Sequence, residues 1–209
     1  MTQTHLRQLE HRLAIVAETL REEFPDDYYK RCSYETFGTL ALLREAGERA
    51  WAVGGESVAF ILSKDAKTPS MKGFASDGQR FSHFWVETAD RLIDVSTYFL
   101  PEDATLPTTP MPAVAWDKSS ELPRYLRYKE LAVIPEGQEM DGQSIVSQRG
   151  KIFVDRCLAR LANQTELMKF PTWIVTGRPS VAIAAKRGNL WAIGAEKFDG
   201  WVDPSTLPF

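Results

Sequence analysis

Leu6, Leu9, Leu13, Val16, Leu20 and Phe24 recur at spacings of three and four along the start of the chain. That periodicity is one face of an amphipathic helix over residues 5–24, ended by Pro25 and the acidic Asp26 and Asp27. A second helix is expected from Cys32 to Ala46. Phe37, Leu40 and Leu43 form its apolar stripe, and Gly47 suits the left-handed position after its end. The pattern then changes. Trp51 to Val53, a Gly54-Gly55 turn and Ser57 to Leu62 suggest a strand pair or one interrupted strand. Residues 63–80 are polar, with Pro69, Gly73 and Gly78, and form a long loop. Ser82 to Glu87 and Arg91 to Ser96 are the next two strands, joined across Thr88, Ala89 and Asp90.

Prolines at 101, 107, 110, 112 and 123 make residues 101–123 an irregular crossing segment. Arg124 to Ile134 is a strand region, Lys151 to Leu161 a helix. Short strands are expected at 173–175, 180–184 and 190–193. The whole is α+β, with helices first and a mostly antiparallel sheet after, in one domain over residues 1–209.

Composition narrows the class. The chain has 209 residues, 44% of them apolar, enough to bury a core as a single domain. Its net charge of -3 and lack of a strong basic run argue against nucleic acid or an anionic membrane as the main partner. No run approaches the roughly 20 apolar residues of a membrane span, and the first residues have no signal-peptide core. A cytoplasmic protein is expected. There the two cysteines, Cys32 and Cys157, are free thiols rather than a bridge. Three histidines and two distant cysteines offer no zinc spacing, so no metal and no organic cofactor are expected.

The candidate chemistry is the order Cys32, His83, Asp94. A thiol is a useful nucleophile as thiolate, which a helix N-terminus and a nearby imidazolium both stabilise. The first helical N–H groups could also hold an oxyanion. His83 would move the proton and Asp94 would orient the imidazole. Strand parity tests the idea. A two-residue turn would set His83 directly opposite Asp94, and a four-residue loop would make them diagonal neighbours on one face. A three-residue loop would put Asp94 on the wrong face. Asp90 shares the parity of Asp94 but lies in the turn, and ranks second. Cys157 fits the core of its helix. His5 and His11 are expected in solvent, and Trp51 and Trp85 in packing. The 63–80 segment, which leads into His83, is either a partial lid over the site or an ordinary surface excursion.

Taken together, Cys32 with Leu42, Leu43, Arg44, Glu45, Ala46 and Gly47 behind it, then His83, Trp85, Val86 and Glu87, then Leu92, Ile93 and Asp94, carry a likeness. The pattern resembles the papain-like and transglutaminase-like cysteine superfamily, and within it one of the bacterial domain-of-unknown-function families. The resemblance covers residues 26–98, which it implies are the catalytic core of a papain-like or transglutaminase-like fold. Residues 101–209 would be an extension of the same domain and carry no assignable motif. The resemblance implies Cys32 as nucleophile, His83 as base and Asp94 as orienter. The activity implied is that of a cysteine hydrolase or acyltransferase on a peptide, amide or ester carbonyl. One departure stands out: papain-type peptidases carry a Gln shortly before the Cys, and residues 25–31 contain none. The oxyanion donor is therefore unassigned. A non-catalytic binding module that retains the fold is the alternative from another class.

Overall fold

The structure is a computed structural model that describes residues 2–74, 81–136 and 145–209. It is α+β, built on a seven-stranded, mostly antiparallel sheet with helices on both sides.

Helix α1 spans Gln3–Glu23, with the Thr2 side chain capping its first turn by accepting from His5 N at 3.3 Å. A 3₁₀ turn at Tyr28–Lys30 leads into helix α2, Cys32–Glu45. Helix α2 stops as its composition requires. Gly47 takes φ +78°, its N–H reaches Arg44 O, and Glu48 N reaches Leu43 O. Helix α1 thus follows its apolar periodicity, whereas α2 buries Glu35, Thr36 and Thr39 along with Leu40 and Leu43 and leaves Phe37 half-buried.

Strand β1 is one continuous strand, Ala50–Leu62, rather than a hairpin. Its register with β6 (Leu126–Ile134) shifts between Gly54 and Gly55, so the glycine pair marks a bulge and not a turn. A Cβ on Gly55 would lie 2.2 Å from Lys129 O and 2.7 Å from the Trp85 ring, a space only glycine fits. The first half of β1 pairs with β3 (His83–Thr88), the second half with β2 (Pro69–Phe74). The expected 63–80 loop therefore contains a strand. Its polar residues satisfy their backbone by pairing with β1, which local composition does not reveal. Residues 75–80 of that segment lie outside the described residues.

Beyond β3 the sheet continues antiparallel through β4 (Arg91–Asp94) and β5 (Ala113–Asp117), then parallel to β7 (Ile174–Val175). Strand β5 corrects the reading of 101–123 as wholly irregular. Its run Ala113 to Trp116 is buried and begins just past Pro112. Two further expectations fail. Residues 180–184 lie in helix α4 (Arg178–Lys186) and 190–193 in helix α5 (Leu190–Glu196). Short apolar runs suit a buried strand or a buried helix equally. Here Pro179 in the first turn of α4 and Asn189 capping α5 (accepting from Ala192 N at 2.9 Å) decide for helix.

Two apolar clusters fill the two sides. On one, α1, α2 and α3 (Ile145–Asn163) pack with Leu13, Val16, Leu43, Phe153 and Cys157 against Ala52, Val86 and Ile93 of the sheet. On the other, α4 and α5 bring Val181 and Trp191 against Phe60, Trp85, Val114 and Trp116. Cys157 is fully buried, as its helical position implies. His11 is not solvated. It is 6% exposed, and its Nδ1 accepts from Met168 N at 3.0 Å. Among the described residues, no helix is long and apolar enough to cross a membrane.

Candidate functional site

The hairpin of β3 and β4 sets the geometry. Val86 pairs with Ile93 and Glu87 with Leu92. That is the four-residue loop over 88–91, one of the two registers that keep His83 and Asp94 on a common face. Thr88 Oγ1 holds the turn, donating to Asp90 Oδ1 at 2.8 Å and accepting from Arg91 N at 3.0 Å. His83 Nε2 and Asp94 Oδ2 are 2.8 Å apart, and both side chains are fully buried. Asp90 stays in the turn with its side chain 68% exposed and takes no part.

Asp94 is held from three further directions. Tyr128 of β6 donates its hydroxyl to Oδ2 at 2.8 Å. The Ser96 N–H donates to Oδ1 at 2.9 Å. The Thr97 hydroxyl reaches the Asp94 carbonyl at 3.2 Å and the Pro112 carbonyl at 2.8 Å. A carboxylate accepting this many hydrogen bonds is fixed in orientation, and it fixes its imidazole in turn.

The second ring nitrogen, Nδ1, is not bonded to Asp94. With Nε2 on Asp94, Nδ1 is buried and has no aligned hydrogen bond. The Cys32 thiol is close enough to stabilise the protonated ring by charge and hydrogen bonding. Burial alone would lower the His83 pKa, but Asp94 first and then Cys32 outweigh it and raise it to about 10. Cys32 is the first residue of α2 and is only partly buried, whereas His83 is wholly so. Cys32 is thus the least buried residue of the three.

The N-terminus of α2 is shaped by Arg31. Its guanidinium makes a forked pair with Asp27, with Nε at 3.0 Å from Oδ1, and lies over the rings of Phe24 at 5.0 Å and Tyr34 at 5.7 Å. Arg31 provides no side-chain cap to the helix.

Four participants have no signal in the sequence motif. Glu35, one turn after Cys32, is 1% exposed and accepts from Val95 N at 3.0 Å and from the Ser96 hydroxyl. Burial, and then the charge of Asp94, raise its pKa to about 8. Tyr128 comes from the second half of the chain, 34 residues beyond its partner. Burial and Asp94 push its pKa well above that of a free tyrosine. Ser96 bonds both carboxyl groups. Phe74 lies on the His83 ring, with centroids 4.6 Å apart and planes within 1°. That stack follows from topology: Phe74 ends β2 opposite Ser57, and His83 starts β3 opposite Gly55. Ser82 staples the two ends, its hydroxyl donating to Phe74 O at 2.7 Å. Of these, Glu35 alone was open to discovery from sequence, as a carboxylate three positions after the cysteine in the same expected helix.

Trp85 is packing, 1% exposed, with its Nε1 donating to Glu87 Oε1 at 3.1 Å. No family model, curated protein or solved structure matches the chain.

Proposed function

We propose that the protein is a cysteine-dependent hydrolase or acyltransferase with a papain-like or transglutaminase-like core, acting on an amide or ester carbonyl. One observation carries the reading: a buried imidazole bonded to Asp94 through Nε2, under the electrostatic influence of a thiol that starts a helix. In this reading the Cys32 sulfur attacks the carbonyl carbon as thiolate, its proton already held by the His83 imidazolium. The tetrahedral adduct collapses when His83 returns the proton to the departing amine or alcohol. The Cys32 thioester is then attacked by water, or by an amine, which loses its proton to His83 as the thiol leaves. Asp94 holds the imidazole and balances its charge throughout. The first turn of α2, which lacks a side-chain cap, offers N–H groups for the oxyanion and stands in for the missing Gln.

A second reading, a binding module without turnover, draws on the complete burial of His83 under Phe74. A ring with no exposure to solvent is poorly placed to turn over protons with substrate or water.

Alkylation separates the two. With iodoacetamide at mildly acidic pH, Cys32 should react faster than a free model thiol, and His83→Ala should remove that advantage. Cys157 should stay unmodified, because it is fully buried and burial pushes its thiol pKa up to about 12. A Cys32 no faster than the model thiol would favour the binding module. Product analysis with and without an added amine then distinguishes hydrolysis from acyl transfer.

A further inference from the structure

We propose that Glu35 is a positioning residue of the Cys32–His83–Asp94 group, tying the helix that carries the thiol to the strand end that carries the carboxylate. The proposal rests on the reading of that group as a nucleophilic site. Glu35 lies on α2 one turn after Cys32, and its carboxyl group bridges to the corner just past Asp94. Oε1 accepts from Val95 N at 3.0 Å and Oε2 is bonded to the Ser96 hydroxyl. Ser96 in turn donates its N–H to Asp94 Oδ1 at 2.9 Å. One short relay therefore joins α2 to the hairpin that holds His83. No hydrogen bond among the described residues links the Cys32 side chain to Asp94 directly, so the alignment of the thiol helix depends on contacts of this kind.

Burying a carboxyl group is costly unless it is bonded and uncharged. Glu35 meets both conditions at neutral pH, being fully buried, doubly bonded and raised to about 8. The groups facing it are Asp94 on β4, His83 on β3, Tyr128 on β6, the Val95 N–H and the Ser96 hydroxyl. Neutral Glu35 leaves one carboxylate to balance one imidazolium. Ionised Glu35 adds a second negative charge beside the site, which opposes the developing charge of a thiolate or an oxyanion. Glu35 thus works in its neutral form, and the site loses efficiency as that form is lost.

The test is the rate of Cys32 alkylation by iodoacetamide in the folded, full-length protein. Four forms are compared: wild type, Glu35→Gln, Glu35→Ala and, as a control on the site itself, His83→Ala. Glu35→Ala should slow the reaction about tenfold near neutrality by loosening α2 from the corner. Glu35→Gln keeps an acceptor for Val95 N and should recover most of that loss. The ratio of the Glu35→Gln rate to the wild-type rate should rise across the window around pH 8 in which Glu35 loses its proton. Circular dichroism checks the fold of each variant; if Glu35→Ala does not fold, the pH dependence of that ratio decides. A ratio constant over the same window, or a folded Glu35→Ala that reacts like wild type, overturns the role of Glu35. A His83→Ala protein that alkylates at the wild-type rate overturns the nucleophilic reading itself, so the two failures are told apart.

Discussion

At the scale of the residue, the two cysteines have opposite surroundings and should respond oppositely to truncation. Cys157 is fully buried between helices, its thiol beside Thr19 and 3.4 Å from where a Cβ on Gly38 would stand. Cys157→Ala should cost about 1 kcal/mol of stability, measured by urea denaturation, and leave Cys32 alkylation unchanged. Cys32, partly exposed at a helix start, packs little. Cys32→Ala should retain the melting temperature and lose thiol reactivity and any turnover. Equal effects of the two changes would contradict the assignment. Tyr128→Phe removes one donor from Asp94 Oδ2 without changing shape. Its cost should be about 1–2 kcal/mol, since a buried carboxylate loses one of its bonds. Asp94→Asn should slow any turnover less than His83→Ala does, because the orienter sets tautomer and charge whereas the base moves the proton. Relative kcat/KM on any substrate found would check the order.

At the scale of the element, the site depends on the bulge in β1. Gly55 lets β6 and Trp85 approach the β1 backbone, and β6 carries Tyr128 to Asp94. Gly55→Ala forces a Cβ to within 2.2 Å of Lys129 O, and neither strand can yield without shifting its register. A loss of about 2–3 kcal/mol is expected, in the range of overpacking a tight interior. Gly200→Ala is the control. Its added Cβ meets nothing within 4 Å, and the change should be neutral or slightly stabilising. Thermal melts of the pair test this; equal melting temperatures would remove the bulge from the account.

At the scale of the whole molecule, the buried group couples stability to pH. His83 and Glu35 both have folded-state pKa values above those of the unfolded chain, at about 10 and about 8. Each therefore binds more protons when folded, and stability falls as pH rises. The Glu35 contribution is fully present below the ordinary carboxyl value of 4.5 and is lost as pH rises to about 8. The His83 contribution is fully present below 6.5 and is lost as pH rises to about 10. The loss should be on the order of a few kcal/mol, because a unit of pKa shift is worth about 1.4 kcal/mol. Denaturant midpoints from mildly acidic to alkaline pH should fall in the wild type. They should fall less in Glu35→Gln over the lower window and less in His83→Gln over the upper one. A wild-type profile that is flat across both windows would mean that the buried cluster holds no extra protons.

Periodicity and chain order made much of this protein legible. The 3.6-residue stripe placed α1, and Gly47 placed the end of α2. Strand parity restricted His83 and Asp94 to two usable hairpin registers, one of which is present. These are local facts, since a helix face or a hairpin is determined by residues a few positions apart. What lay beyond reach was set by distant partners. The strand character of 69–74 comes from pairing with β1, and the helices at 178–186 and 190–196 from the apolar face they cover. The stack of Phe74 on His83, the Tyr128 bond from the second half of the chain and the Glu35 bridge to Val95 and Ser96 each join separate elements of the fold. No local pattern encodes such contacts, because their energy comes from burial and hydrogen bonding between segments brought together only by tertiary folding. The order of cysteine, histidine and aspartate was a property of the sequence. The buried surroundings that set their protonation were decided by the fold.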